Sequence, residues 1–312
     1  MTEIKCIKWK NLEGIQMENN TVSVVILPRL GGKLASLQYK KTKFEFAAQM
    51  KEQQYQIPGR DAEFEKFDAS GLDDAFPSIV GSRVMSRNGE KIYPDHGEIW
   101  SSPFEYEIGR ECVHLSFRST RFSYTYEKTL ELKENQVIIY YHICNEQKEP
   151  FPCLWAFHGL MRYEEDMELW YPKEVDSFEN VLFSQELGAA ERHVPIWNKE
   201  YDFSKVPARE SGTMVKYYAD KKIKSGFCGY RYPSYGMECV IEYNAQKLPY
   251  LGTWITAGGY RGDYNCAMEP ANGYYDDIYI AEKNNSLYLL EKENPLDFHI
   301  KITMREMNKV SR

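Results

Sequence analysis

Two of the six histidines stand where acid–base chemistry is possible, and one glutamate joins them. In Tyr93-Pro94-Asp95-His96-Gly97-Glu98-Ile99-Trp100 a turn-forming Pro-Asp precedes His96, and the glycine after it leaves backbone room for a ligand to approach. If this segment is extended, His96, Glu98 and Trp100 project to one side as an imidazole, a carboxylate and an indole platform. His158 lies in the apolar run Phe151-Pro152-Cys153-Leu154-Trp155-Ala156-Phe157-His158-Gly159-Leu160, on one face with Leu154 and Ala156, and small Ala156 and Gly159 leave space around its ring. A half-buried imidazole titrates near neutrality, which suits a general acid or base. Glu269 ends the stretch from Leu251 to Pro270, in which a strand bearing Trp254 leads through Gly258, Gly259 and Gly262 into a second strand. A carboxylate at a strand end, before a proline that stops ladder pairing, is placed to face a cleft.

Each residue also has a plainer role. His96 could cap a turn through Asp95, His158 could be a core histidine bonded to a carbonyl, and Glu269 could accept backbone N–H groups. His96 and Glu98 alone are too few for a metal, which takes at least three protein ligands. The glycines before Glu269 do not form a phosphate loop, and no G-x-S-x-G, H-E-x-x-H or paired CxxC occurs. His114, His142, His193 and His299 read as structural or solvated.

The elements that must position these side chains read as strands. Apolar and polar residues alternate over Val22-Val24-Ile26, Val113-Leu115-Phe117, Tyr124 to Leu132 and Gln136 to Cys144. Turn residues separate them at Asn19-Asn20, Gly31-Gly32, Asn88-Gly89, Lys133-Glu134-Asn135 and Pro233-Ser234-Tyr235-Gly236, which predicts consecutive antiparallel hairpins. Residues 49–75 and 173–210 break the rhythm and are expected to be long loops walling a binding groove. Strand patterns run from residue 3 to about residue 304 without a linker or repeat, so one domain spanning 1–312 is expected. More than a dozen strands should split into two packed layers, an all-β antiparallel sandwich.

Bulk properties narrow the partners. The net charge is −7, with no Lys/Arg block to meet nucleic acid or an anionic membrane. The N-terminal residues interleave charged and apolar side chains, unlike a signal peptide or membrane span, so a cytoplasmic location is expected. The seven cysteines are odd in number and none is at Cys-x2-Cys spacing, which predicts reduced, mostly buried thiols. Aromatic residues are 14% of the chain, with 24 Tyr. Such a palette suits stacking on a sugar, although aromatics also favour strands in general.

Taken in order, these segments resemble the aldose 1-epimerase (galactose mutarotase) family over nearly the whole chain. Val24-Val25-Ile26-Leu27-Pro28-Arg29-Leu30-Gly31-Gly32-Lys33-Leu34 is similar to its opening strand and glycine bend. Ala75-Phe76-Pro77 followed by Asp95-His96-Gly97-Glu98-Ile99-Trp100 resembles its His-Gly segment, Trp155-Ala156-Phe157-His158 the strand of its second histidine, and Ala267-Met268-Glu269-Pro270 its Glu-Pro. The resemblance implies a supersandwich fold, no cofactor or metal, and a sugar groove across one sheet. By motif, His158 would be the acid that protonates the ring oxygen, Glu269 the base on the anomeric hydroxyl, and His96 a polarising sugar contact. Asp74, Trp254 and Asp220 are the expected substrate contacts, with Asp202 as the alternative to Asp220. A small sugar is the expected partner, with the chain a monomer or homodimer.

The chain also departs from the family. Leu72-Asp73-Asp74-Ala75-Phe76-Pro77 stands where sugar-specific members carry Asn-Arg, and is closer to the Phe-Pro pattern of the hexose-phosphate and uncharacterised branches. A hexose-6-phosphate 1-epimerase and a non-catalytic sugar-binding protein are the alternatives; Arg60, Arg83 and Arg87 are candidates for a phosphate contact but read better as solvated surface residues, and retention of both histidines and Glu269 argues against mere binding. A lyase or glycoside hydrolase ranks behind them, because hydrolysis calls for two opposed carboxylates.

Overall fold

The computed structural model describes residues 1–86 and 89–308. Arg87 and Asn88, and with them the expected Asn88-Gly89 turn, lie outside the described residues. The described chain is nearly all β, arranged as two large antiparallel sheets. The larger sheet runs from Glu3–Trp9 through Leu12–Glu18, Val22–Leu27, Lys33–Tyr39 and Leu72–Ala75 to Ala156–Gly159. It continues through Tyr264–Ala271, Tyr250–Ala257, Thr213–Ala219 and Ser177–Asn180 to His193–Pro195. The smaller sheet orders Glu168–Trp170, Phe227–Tyr232, Met237–Tyr243, Leu296–Glu306, Gln136–Asn145, Tyr124–Lys133, Cys112–Ser119 and Glu105–Ile108.

The inner faces of the two sheets form the main core. Val113, Leu115, Tyr124, Tyr126, Leu130, Val137 and Ile139 of the smaller sheet belong to one buried cluster with Val24, Leu37, Phe76 and Phe157 of the larger side. The alternation read along Tyr124 to Leu132 is this burial, with every second residue turned inward. In Val22–Leu27 the alternation misleads, because both faces are buried. Val25 and Leu27 pack in a second cluster with Met50 and Tyr55, which belong to the first of the two long loops. That loop therefore covers part of the sheet's outer face.

The hairpin expectation holds towards the edges and fails at the centre of the larger sheet. Ala156–Gly159 pairs with Leu72–Ala75 on one side and Tyr264–Ala271 on the other, strands far away in sequence. Phe64–Lys66 forms a short 3-10 turn within the first loop, and the second loop contributes Ser177–Asn180 and His193–Pro195 to the sheet. One short helix not expected from the sequence, Ile278–Lys283, starts at Asp277, whose side chain accepts the Ile280 N–H at 3.0 Å. Among the described residues no helix is long and apolar enough to cross a membrane. Cys153, Cys228, Cys239 and Cys266 are buried, Cys6 is exposed, and all seven are free.

Candidate active site

His158 and Glu269 come together through strand register. Ala156 faces Ala271, and where pairing resumes Met161 faces Cys266 with the same offset, so His158 stands level with Glu269 on the neighbouring strand. Asp73 faces His158 from the other side, and Gly252 faces Glu269. Tyr218 then faces Gly252, and Glu179 faces Tyr218. One row of side chains thus crosses the sheet face turned away from the second sheet. Gly252 keeps that row open: a Cβ there would lie 3.3 Å from Glu269 Oε2 and 3.1 Å from the Tyr218 ring.

A cavity of about 260 Å³ on this face is lined by His96, His158, Trp254 and Glu269, four of the six expected site residues. Lys216 and Asp276 line it too. Phe64 and Leu182 also line it, one from each long loop, so both loops wall the site as expected.

His158 Nδ1 lies 2.8 Å from Asp73 Oδ1, and Asp73 Oδ2 lies 3.4 Å from Lys33 Nζ. Burial works against a charged Asp73, yet the Lys33 ammonium and the His158 hydrogen bond outweigh it and hold this carboxyl below its usual range. An ionised Asp73 can only accept, so Nδ1 carries the proton and Nε2 is left to exchange with a ligand.

His96 arrives by a different route from the one expected. Its segment is a turn: His96 and Gly97 have φ of 57° and 71°, and Ile99–Ser101 is a 3-10 turn. Glu98 and Trp100 therefore do not share a face with His96. Glu98 N–H donates to Phe76 O at 2.9 Å, and a Cβ on Gly97 would lie 1.9 Å from that same oxygen. The glycine makes room for the Phe76 backbone, not for a ligand. The space at Gly159 is likewise taken, by the Phe157 ring, 2.5 Å from where a Cβ would sit. The His96 ring stacks on Phe64 at 3.8 Å between centroids and meets His158 edge-on at 5.1 Å. Its Nδ1 is 3.1 Å from Asp95 Oδ1 but off-angle for a hydrogen bond.

Glu269 is buried and ion-paired through Oε2 with Lys216 Nζ, while its Oε1 has no hydrogen-bond partner. Lys216 Nζ is also 3.7 Å from Asp276 Oδ1, which accepts the Tyr218 hydroxyl at 2.7 Å. Burial favours a neutral Lys216, but the Asp276 and Glu269 carboxylates outweigh it and hold the amine above its ordinary range. The site therefore carries an imidazole and a carboxylate with one free end each, beside a fixed ammonium.

Asp74 needs correcting. It follows Asp73 by one residue, so it points to the opposite face and into the space between the sheets. There it meets Lys128 Nζ at 3.0 Å, Tyr126 Oη at 3.1 Å and Tyr141 Oη at 2.9 Å, and it does not line the cavity. Asp220 is also outside the cavity lining, bonded to His193 Nδ1 at 2.6 Å and Ser177 Oγ at 3.2 Å. Asp202 closes its own turn by accepting from Ser204. Arg83 pairs with Glu90, and Arg60 lines a separate surface cavity with Arg29, Arg118 and Arg121.

Among the described residues, only Glu179, His193 and Asp220 bring three metal-ligating atoms together, within 4.8 Å of one another. His193 and Asp220 already satisfy each other, and Glu179 takes the Tyr274 hydroxyl. Sequence reasoning missed Lys216, Asp276, Asp73 and Phe64. The signal for Lys216 was a lone charge in the apolar run Met214-Val215-Lys216-Tyr217-Tyr218-Ala219; Phe64 and Asp276 carried none.

No protein-family model matches the chain, and no curated protein matches it. Solved structures do. A protein from Synechocystis sp. PCC 6803 superposes with a TM-score of 0.72 at 13% identity, over 96% of this chain and 99% of its own. A galactose mutarotase-like protein from Clostridium acetobutylicum gives 0.71 at 13%, over 98% and 99%. The galactose mutarotase related enzyme from Lactobacillus acidophilus gives 0.69 at 13%, over 96% and 100%. At such identity the likeness is one of fold, and the chain has the galactose mutarotase-like β-sandwich.

Proposed function

We propose that this protein interconverts the α and β anomers of an aldose or aldose derivative by acid–base ring opening at C1. The observation that carries this reading is the level placement of His158 and Glu269 on neighbouring strands of one cavity, with His96 against His158. Glu269 takes the proton of the anomeric hydroxyl as the C1–O double bond forms. The bond from C1 to the ring oxygen breaks, and imidazolium His158 delivers its Nε2 proton to that oxygen while Asp73 compensates the ring's charge. After rotation about C1–C2 the ring oxygen attacks the other face of the aldehyde. Neutral His158 takes the hydroxyl proton back, and Glu269 returns its proton to the new anomeric oxygen. Each positioned group contributes roughly 10²- to 10⁴-fold. His96 would contact a sugar hydroxyl, and Trp254 would stack on a C–H face of the ring.

Lys216 occupies one oxygen of Glu269, which favours a second reading, a sugar-binding protein that does not turn over. Anomer exchange measured by NMR on a panel of free and 6-phosphorylated aldoses separates the two. Faster exchange than in buffer, lost in Glu269→Gln, is the expected result. Binding without acceleration across the panel would overturn catalysis, and undiminished exchange in Glu269→Gln would remove Glu269 from the base role.

A further inference from the structure

The outer face of the smaller sheet carries a second constellation, on the opposite side of the sandwich from the sugar cavity. Along Gln136–Asn145 the even-numbered residues turn outward, which puts Tyr140, His142 and Cys144 on one face. Cys144 Sγ lies 3.0 Å from His142 Nε2, and His142 Nδ1 lies 2.6 Å from Asp297 Oδ1. Register holds Asp297 there, as the residue facing His142 on Leu296–Glu306. His142 and Asp297 also line a surface cavity of about 400 Å³ with His114, Tyr140 and His299.

His142, which reads in the sequence as structural or solvated, has its tautomer set by this neighbour. A carboxylate can only accept, so Nδ1–H points to Asp297 and the Nε2 lone pair is left to accept the Cys144 S–H. Nucleophile, base and orienting carboxylate thus stand in one line, each within hydrogen-bond reach of the next. On its own the thiol would be inert. Burial raises it above the ordinary thiol range, and the Glu127, Asp297 and Glu146 carboxylates push the same way, against a Thr125 hydrogen bond. Reaction therefore requires the proton to leave during attack, and His142 is the group placed to take it. Among the described residues no other cysteine lies within hydrogen-bond distance of a histidine: Cys6 meets the Tyr106 hydroxyl at 4.0 Å, and four others are buried.

We propose that Cys144 is a nucleophilic thiol activated by His142 and positioned through Asp297, and that it is this chain's site of modification by low-molecular-weight disulfides. As Cys144 Sγ attacks one sulfur of the disulfide, its proton passes to His142 Nε2 while Asp297 balances the imidazolium. The new S–S bond forms, the old one breaks, and the departing thiolate takes the proton from His142. A mixed disulfide remains on Cys144 and one small thiol is released. The protein sulfur is oxidised and the departing half is reduced, so no further oxidant is consumed. The site goes beyond the sugar reading and does not depend on it.

The test incubates the folded chain with glutathione disulfide at pH 7 and follows each mixed disulfide by peptide mass spectrometry. Cys6, exposed and without such a relay, is the internal reference. An ordinary thiol is only a few per cent thiolate at neutral pH, which leaves roughly 10- to 30-fold to gain. Cys144 is expected to react about 10-fold faster than Cys6, although it is less exposed. His142→Gln can still hydrogen-bond but cannot take the proton, and should bring Cys144 to the Cys6 rate or below. Asp297→Asn should slow Cys144, and Asp297→Glu, which keeps the carboxylate, should restore part of the rate. The His142 and Asp297 side chains are 44% and 60% exposed, so these variants should fold. Buried Cys228 reports on that, since it stays unmodified wherever the fold is kept. Reaction at Cys144 no faster than at Cys6, or unchanged by His142→Gln, overturns the proposal. A rate that Asp297→Asn does not alter removes Asp297 from its positioning role.

Discussion

His158 and Asp73 face each other across neighbouring strands with 2.8 Å between Nδ1 and Oδ1, and the carboxylate is anchored on its far side by Lys33. This contact fixes which imidazole nitrogen faces the cavity. Asp73→Asn keeps the shape but offers an amide that can donate to Nδ1, which moves the proton to Nε2 and removes the charge that balances imidazolium. Exchange by the variant is expected to fall about 10²- to 10⁴-fold, with sugar affinity changed less than threefold. Equal exchange by Asp73→Asn and wild type would show that this pair does not support the acid.

Lys216 is as much a folding residue as a site residue. Removing it leaves Glu269 and Asp276 buried without their cation, so Lys216→Met is expected to cost about 3–5 kcal/mol in urea unfolding. Adding Glu269→Gln removes one stranded charge, and the double variant should recover part of that loss. Strictly additive effects would mean that the pair is not coupled.

Glu98 gives a dependence on pH. Burial pushes its carboxyl above the ordinary carboxylate range, despite the Ser119 and Tyr124 hydroxyls and the Arg121 and Arg60 guanidiniums nearby. The folded chain therefore holds this proton more tightly than the unfolded chain does. The resulting stabilisation is complete below the unfolded value, about 4.3, and is lost as pH rises through the raised folded value. Glu98→Gln removes the loss. Its urea midpoint should exceed that of wild type at pH 7, with the gap closing towards pH 4; a gap that stays constant with pH would contradict the assignment.

Asp74 sits in the core against Lys128, whose side chain is 4% exposed. Asp74→Ala strands that ammonium and removes the acceptor of the Tyr126 and Tyr141 hydroxyls, for an expected loss of about 3–5 kcal/mol. The KM of the folded fraction should not change. A raised KM at unchanged stability would return Asp74 to the sugar site.

Much of the architecture was legible because it is local. The alternation over Tyr124 to Leu132 and Gln136 to Cys144, with Lys133-Glu134-Asn135 between them, predicts the hairpin of Tyr124–Lys133 and Gln136–Asn145 within a residue at each end. His96, His158, Glu269 and Trp254 could be named because the short motifs around them, taken in order, resemble those of one family, and the cavity is lined by all four. Alternation does not say which face of a strand is buried or which strand lies beside it. Asp73 and Asp74 are equivalent in the sequence, and only the pairing of Leu72–Ala75 with Ala156–Gly159, over a second sheet, sends one to His158 and the other to Lys128. Lys216 and Asp276 join Glu269 for the same reason. Their neighbours are chosen by non-local register and by the need to pair buried charge, and both are settled only when the two sheets close on each other.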